Sequence, residues 1–107
     1  MQIEFYWWED CPSHEQAYER LLEAMRQAGV QATVQRVEVK TEADAVAYRF
    51  PGSPTIRING EDIDPVSAVQ NPTRLTCRVY RLPDGRFSPL PALETLTDAL
   101  QKAKEKE

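Results

Sequence analysis

The segment Ile3-Glu4-Phe5-Tyr6-Trp7-Trp8-Glu9-Asp10-Cys11-Pro12-Ser13-His14 decides how the chain is read. Its first half, Ile3 to Trp8, is apolar and aromatic on both alternating faces, which predicts a central strand covered on two sides. Pro12 follows where a missing N–H is harmless, in the first turn of a helix. That helix is expected to run through Glu15 to about Ala28, with Ala17, Leu21, Met25 and Ala28 on one stripe and Gly29 as its stop. Cys11 stands at the junction. A sulfur there meets the unsatisfied amides and positive end of a helix, which favours thiolate over thiol. Thiolate is the reactive form, so Cys11 is expected to alkylate much faster than the other cysteine, Cys77.

Outward from this segment, strands and amphipathic helices alternate. Ala32 to Val39 reads as a second strand, and Thr41 with Asp44 as a capping box that starts a short helix to about Arg49. Phe50-Pro51-Gly52-Ser53-Pro54 breaks regular structure ahead of a strand, Thr55 to Ile58. Asn59-Gly60 then signals a tight turn into Glu61 to Asp64. A polar connection follows from Pro65 to Leu75, with one helical turn behind Asp64-Pro65. Thr76 to Leu82 reads as another strand, turned by Pro83-Asp84-Gly85. Pro91 opens a closing helix through about Ala103, with Leu93, Leu96 and Leu100 on one face, and the tail from Lys102 to Glu107 reads as frayed. The alternation predicts one α/β domain over residues 1–107, a mixed sheet of four or five strands with helices on both faces.

Composition narrows the function classes. With 107 residues the chain can bury one core, and its 41% hydrophobic and 28% charged residues are those of a globular protein. A formal net charge of −4 argues against a nucleic-acid partner. No apolar run approaches the roughly 18–20 residues that span a bilayer, so no membrane partner is expected. Met1 leads almost at once into strand-like sequence without a basic leader, which places the expected home in the cytoplasm. Two cysteines in a reducing compartment point to redox or metal chemistry, or to inert burial, rather than to a disulfide framework.

The order strand, Cys11, helix, strand, helix, Ser53-Pro54-Thr55, hairpin, helix resembles the thioredoxin superfamily over nearly the whole chain. The positions that carry the resemblance are Trp7 and Trp8 before Cys11, Pro12 after it, and Gly52-Ser53-Pro54-Thr55 ahead of a strand. The resemblance implies a thioredoxin-like three-layer sandwich with Pro54 cis beside the thiol. Ser53's backbone would then be turned outward and free to pair with an extended substrate peptide. The superfamily's second cysteine is replaced here by His14. Cys77 lies far off, in Thr76-Cys77-Arg78-Val79-Tyr80. The Asp-Cys-Pro opening and the late Cys-Arg-Val-Tyr look like a group of small bacterial thioredoxin-like proteins, some labelled alkylmercury lyase-like.

Each candidate has two readings. Cys77 is a small buried hydrophobe, or a resolving thiol that the 65–75 connection carries back to the Cys11 end of the sheet. His14, one turn beyond Cys11, is an exposed first-turn residue, or it hydrogen-bonds the thiolate, shuttles a proton or donates a nitrogen ligand. Trp8 belongs to core and rim packing, or with Pro12, Ser53, Pro54 and Thr55 it walls a substrate site. Glu9 and Asp10 are solvated loop residues that oppose the helix effect on Cys11. Asp10 has a further role only if the chain cleaves carbon–metal bonds. Arg49, Arg57, Arg74 and Arg78 are scattered, and none is assigned a role in holding a glutathione carboxylate. The favoured function is that of a thiol–disulfide oxidoreductase using Cys11, with Cys77 as candidate resolving thiol and a protein or small-molecule disulfide or thiol as partner. It needs no cofactor. The alternatives are a soft-metal or organomercurial thiol-binding protein, using Cys11, Cys77 and His14, and a non-catalytic binding module on the same fold.

Overall fold

Strand β1 (Ile3–Trp7) runs through the middle of the sheet because both of its faces are apolar. The computed structural model describes residues 1–107. β1 pairs in parallel with β2 (Val34–Glu38) and antiparallel with β3 (Thr55–Ile58), and β3 pairs antiparallel with β4 (Glu61–Asp62). The four-stranded mixed sheet is therefore ordered β2-β1-β3-β4. A parallel pair needs a long crossover, and helix α1 (His14–Ala28) supplies it. The β3–β4 pair needs only Asn59-Gly60, whose φ values of 52 and 83 are both positive, as a two-residue hairpin turn requires.

Alternation along β1 sorts the core into two halves. Ile3 and Phe5 join Ile56 and Ile58 on one face, where α1 packs against helix α4 (Leu93–Glu105) through Ala17, Leu21, Met25, Leu96 and Leu100. Tyr6 points the other way and meets Val39, Phe50 and Ala45 of helix α2 (Glu42–Ala47), with Trp8, Val37 and Leu75 packed at the margin. Each fully buried aliphatic or aromatic side chain contributes on the order of 1.5–3 kcal/mol. The result is a three-layer α/β sandwich compatible with a thioredoxin-like fold. No helix is long and apolar enough to cross a membrane.

Several elements differ from the sequence-based expectation. The return strand stops at Asp62 because Asp64 is used elsewhere: its carboxylate accepts from Ser67 N and caps helix α3 (Pro65–Gln70), with Pro65 at the first position. Residues 76–82 do not add a fifth strand to the main sheet. Tyr80–Arg81 (β5) pairs instead with Phe87–Ser88 (β6) in a separate two-stranded hairpin, and Cys77 makes a single parallel bridge with Ser53. The closing helix starts two residues later than expected, behind an extended Ala92, and runs to Glu105, with the Lys104 ammonium donating to the Ala28 carbonyl at the end of α1 (3.2 Å). Cys11 itself precedes the first helical residue by three positions.

The α1–α4 seam should be the costliest place to remove volume. Leu21→Ala and Leu100→Ala are each expected to lower stability by about 2–5 kcal/mol in urea denaturation. Val69→Ala, at an exposed position of α3, should change it by no more than about 0.5 kcal/mol.

Candidate functional site around Cys11 and Cys77

Cys11 hangs in the turn between β1 and α1, its N–H donating to Trp8 O (3.1 Å) and its carbonyl accepting from His14 N (3.5 Å). The residue is fully buried. Its thiol donates to Ser53 O at 3.4 Å, and Ser13 Oγ lies 3.2 Å from the sulfur. Ser13 is the N-cap of α1, yet its hydroxyl makes no bond to the helix amides. The hydroxyl is spent on the sulfur.

The segment from Pro51 into the start of β3 at Ile56 is buried throughout, and the Ser53–Pro54 peptide bond is cis. Ser53 Oγ accepts from Trp8 N (3.0 Å), which locks the loop to the end of β1. Ser53's backbone, expected to be free for a peptide, is fully engaged. Its N–H donates to Thr76 O (2.8 Å) and its carbonyl accepts from Arg78 N (2.9 Å), so residues 76–78 of the same chain lie along it in a single parallel bridge. The fit is close. Gly52, at φ +116, approaches so tightly that a Cβ there would sit 2.8 Å from Arg78 N and Cα.

Arg78 holds this segment down. Alternation turns Cys77 and Val79 outward and Arg78 and Tyr80 inward. The buried guanidinium donates to both oxygens of Asp62 (2.7 and 2.8 Å), to Ser67 Oγ and Thr55 Oγ1 (3.2 Å each) and to Asp64 O (3.0 Å). A bidentate pair with its remaining donors satisfied is the arrangement in which burying an arginine is tolerable. Tyr80 stacks under the guanidinium, 4.3 Å from its carbon, and donates its hydroxyl to Pro54 O. Burial raises the Tyr80 phenol above its ordinary range, so it remains a donor. At the other end, Leu75 N donates to Glu42 Oε1 (3.2 Å).

Cys77 is thereby set beside Cys11. Its thiol is pushed up to about 11, first by partial burial of the sulfur, then by hydrogen bonding with Cys11 and by the repulsion that a Cys11 thiolate would exert. As a residue Cys77 is exposed and Cys11 is buried, which inverts the accessibility that the helix-start argument attached to Cys11. Neither cysteine lines any cavity of the molecule. The largest depression, of about 570 Å³, is bounded by Tyr48, Arg57 and Val69, and another of about 340 Å³ lies between β4 and α4 beside Ile58, Asp62 and Lys102; neither includes a sulfur.

The remaining candidates fall into different places. His14 stacks on Trp7 with ring centroids 4.5 Å apart, and neither ring nitrogen hydrogen-bonds Cys11; its Nδ1 is buried without a partner. No group of three or more His, Cys, Asp and Glu side chains converges anywhere, so Cys11, Cys77 and His14 do not form a three-ligand set. Thr55 is internal: its hydroxyl donates to Gly52 O (2.6 Å) and accepts from Arg78. Pro54 is buried with it, Trp8 is half-buried, and Pro12, Glu9 and Asp10 are exposed. Sequence reasoning missed the roles of Arg78, Asp62 and Ser13, and read Gly52 only as part of the step before Pro54. The signal for Arg78 was present, since period-2 alternation with Tyr80 turns an arginine inward and Asp62 and Asp64 are the carboxylates near a hairpin.

The family described as "Domain of unknown function (DUF2703)" matches residues 11–99. No curated protein and no solved structure matches the chain.

Asp62→Ala would leave the Arg78 guanidinium buried and unpaired. A loss of about 3–5 kcal/mol is expected in denaturant titration, with faster amide exchange at Arg78. Alkylation of Cys77 should rise about tenfold per pH unit from pH 7 toward 10, because only the thiolate reacts and its pKa lies higher still. Cys11→Ala removes both the hydrogen bond and the repulsion that Cys11 contributes, so the profile followed by iodoacetamide labelling should move to lower pH.

Proposed function

The chain belongs to the DUF2703 family, and we propose that it is a thiol–disulfide oxidoreductase-like protein of the thioredoxin-like superfamily, with Cys11 and Cys77 as its redox pair. One observation carries this reading: Cys77 bridges Ser53, the residue whose carbonyl accepts from the Cys11 thiol, although 65 positions separate the two cysteines in sequence. The step is a two-electron exchange. Cys11 and Cys77 lose two protons and two electrons as their S–S bond forms, and a partner disulfide R–S–S–R is cleaved to two thiols. The fold's contribution is positional. Ser53 O and Ser13 Oγ aim the Cys11 sulfur, and the Arg78 anchorage keeps Cys77 in register. A couple that must be returned to its reduced form suits the cytoplasm, where thiols are kept reduced.

The two sulfurs would also suit a soft cation held by two thiolates, and the same experiment separates that case. Oxidation of the reduced protein should yield monomer lighter by two hydrogens in mass spectrometry, a product that neither Cys11→Ser nor Cys77→Ser gives. Closing a loop of about 65 residues should raise stability by up to about 4 kcal/mol in the ideal chain-entropy model. Dimers linked through one cysteine, with no internal disulfide, would overturn the redox pairing. Retention of one mercuric or copper(I) ion per chain with no internal disulfide would favour the two-thiolate reading.

A further inference from the structure

Resting on the dithiol reading above, we infer that the partner exchanges through Cys77 rather than Cys11, and that it is a low-molecular-weight thiol or disulfide rather than an extended polypeptide. An extended peptide that presents its sulfur to Cys11 needs a free backbone edge beside it. The edge at that place is Ser53, and both of its backbone groups are bonded to Thr76 and Arg78 of the same chain. Displacing residues 76–78 would break these two bonds. It would also drag out the Arg78 guanidinium, which is wholly buried and makes five hydrogen bonds, and strip Tyr80 from Pro54 O. Truncating one partner of such a pair is already severe. The segment therefore acts as a built-in occupant of the docking edge.

Access follows from the same packing. Cys11 has no exposed surface, and no cavity reaches it, whereas Cys77 is exposed on the outward face of the segment that covers it. A small sulfur nucleophile needs no backbone edge, only an in-line approach to an exposed sulfur. In the oxidised protein an outside thiolate R–S⁻ attacks Cys77 Sγ. The Cys77–S–R bond forms, the Cys11–Cys77 bond breaks, and the electron pair leaves on Cys11, which takes up a proton. A second R–S⁻ then attacks the bound R sulfur, releasing Cys77 and R–S–S–R. Run in reverse, a small disulfide oxidises the reduced protein through the same Cys77 adduct, and Cys11 closes the ring. Cys11 thus serves as the buried resolving sulfur.

Reduced wild type, Cys11→Ser and Cys77→Ser are incubated at one pH with oxidised glutathione, and separately with a disulfide-linked extended peptide. The products are acid-quenched and weighed, and circular dichroism checks that each variant remains folded. Cys11→Ser should accumulate a single glutathione on Cys77, and Cys77→Ser should capture glutathione at least tenfold more slowly. Oxidised glutathione should drive wild type to its internal disulfide at least tenfold faster than the peptide at equal concentration. Equal capture by the two variants, or a peptide as fast as glutathione, would overturn the inference while leaving the redox pair intact. If wild type forms no internal disulfide with any oxidant, the dithiol reading itself fails, and the inference falls with it. A variant that unfolds is replaced by Cys→Ala at the same position, judged by the same two ratios.

Discussion

The ion pair between Arg78 and Asp62 is the constraint on which the site depends. Its arginine comes from an irregular segment and its carboxylate from the end of a two-residue strand, and neither element would hold its place alone. Buried guanidinium is tolerated only where its donors are answered. Here they are met by both oxygens of Asp62, two hydroxyls and a backbone carbonyl. The geometry that satisfies the charge also fixes the register of its neighbours. With Arg78 turned inward, Cys77 must face outward one residue earlier, and its backbone must lie against Ser53.

From that register comes an unusual distribution of access. In most arguments about a cysteine at a helix start, the helix amides and the open turn act together: one favours the thiolate and the other exposes it. In this chain the turn is not open. Cys11 keeps its place before α1, while the 76–78 segment closes over it and leaves the second sulfur at the surface. Thr55 illustrates the same shift from an outward to an inward role. Its hydroxyl completes the Arg78 network and the Gly52 turn, so it supports the segment rather than contacting a ligand.

Much of the scaffold could be read from local patterns. Apolar residues on both faces of Ile3 to Trp7 made β1 central; the stripe Ala17, Leu21, Met25 with Gly29 bounded α1; and Asn59-Gly60 placed the hairpin. These signals work because each is enforced within a few residues, by periodicity or by a backbone conformation that one residue type adopts cheaply. The errors cluster where a residue had two competing local uses. Asp64 could extend a strand or cap a helix, and capping prevailed because the amides of α3 lack other partners. Thr76 to Leu82 has the composition of a strand, but a strand needs an edge of matching length. β4 is only two residues long and cannot offer one.

By itself, then, the chain determined the α/β class, the order of its main elements, and the position of Cys11 at a strand-to-helix junction. All of these follow from side-chain periodicity and turn chemistry within a short window. Only the tertiary structure decided that Cys77 lies beside Cys11, that Ser53's backbone is occupied from within, and that His14 stacks on Trp7 rather than bonding the sulfur. The physical reason is the range of the interaction responsible. A buried charge selects its partner by distance in space and by the desolvation it must offset, and neither quantity is written in the spacing between Asp62 and Arg78 along the chain.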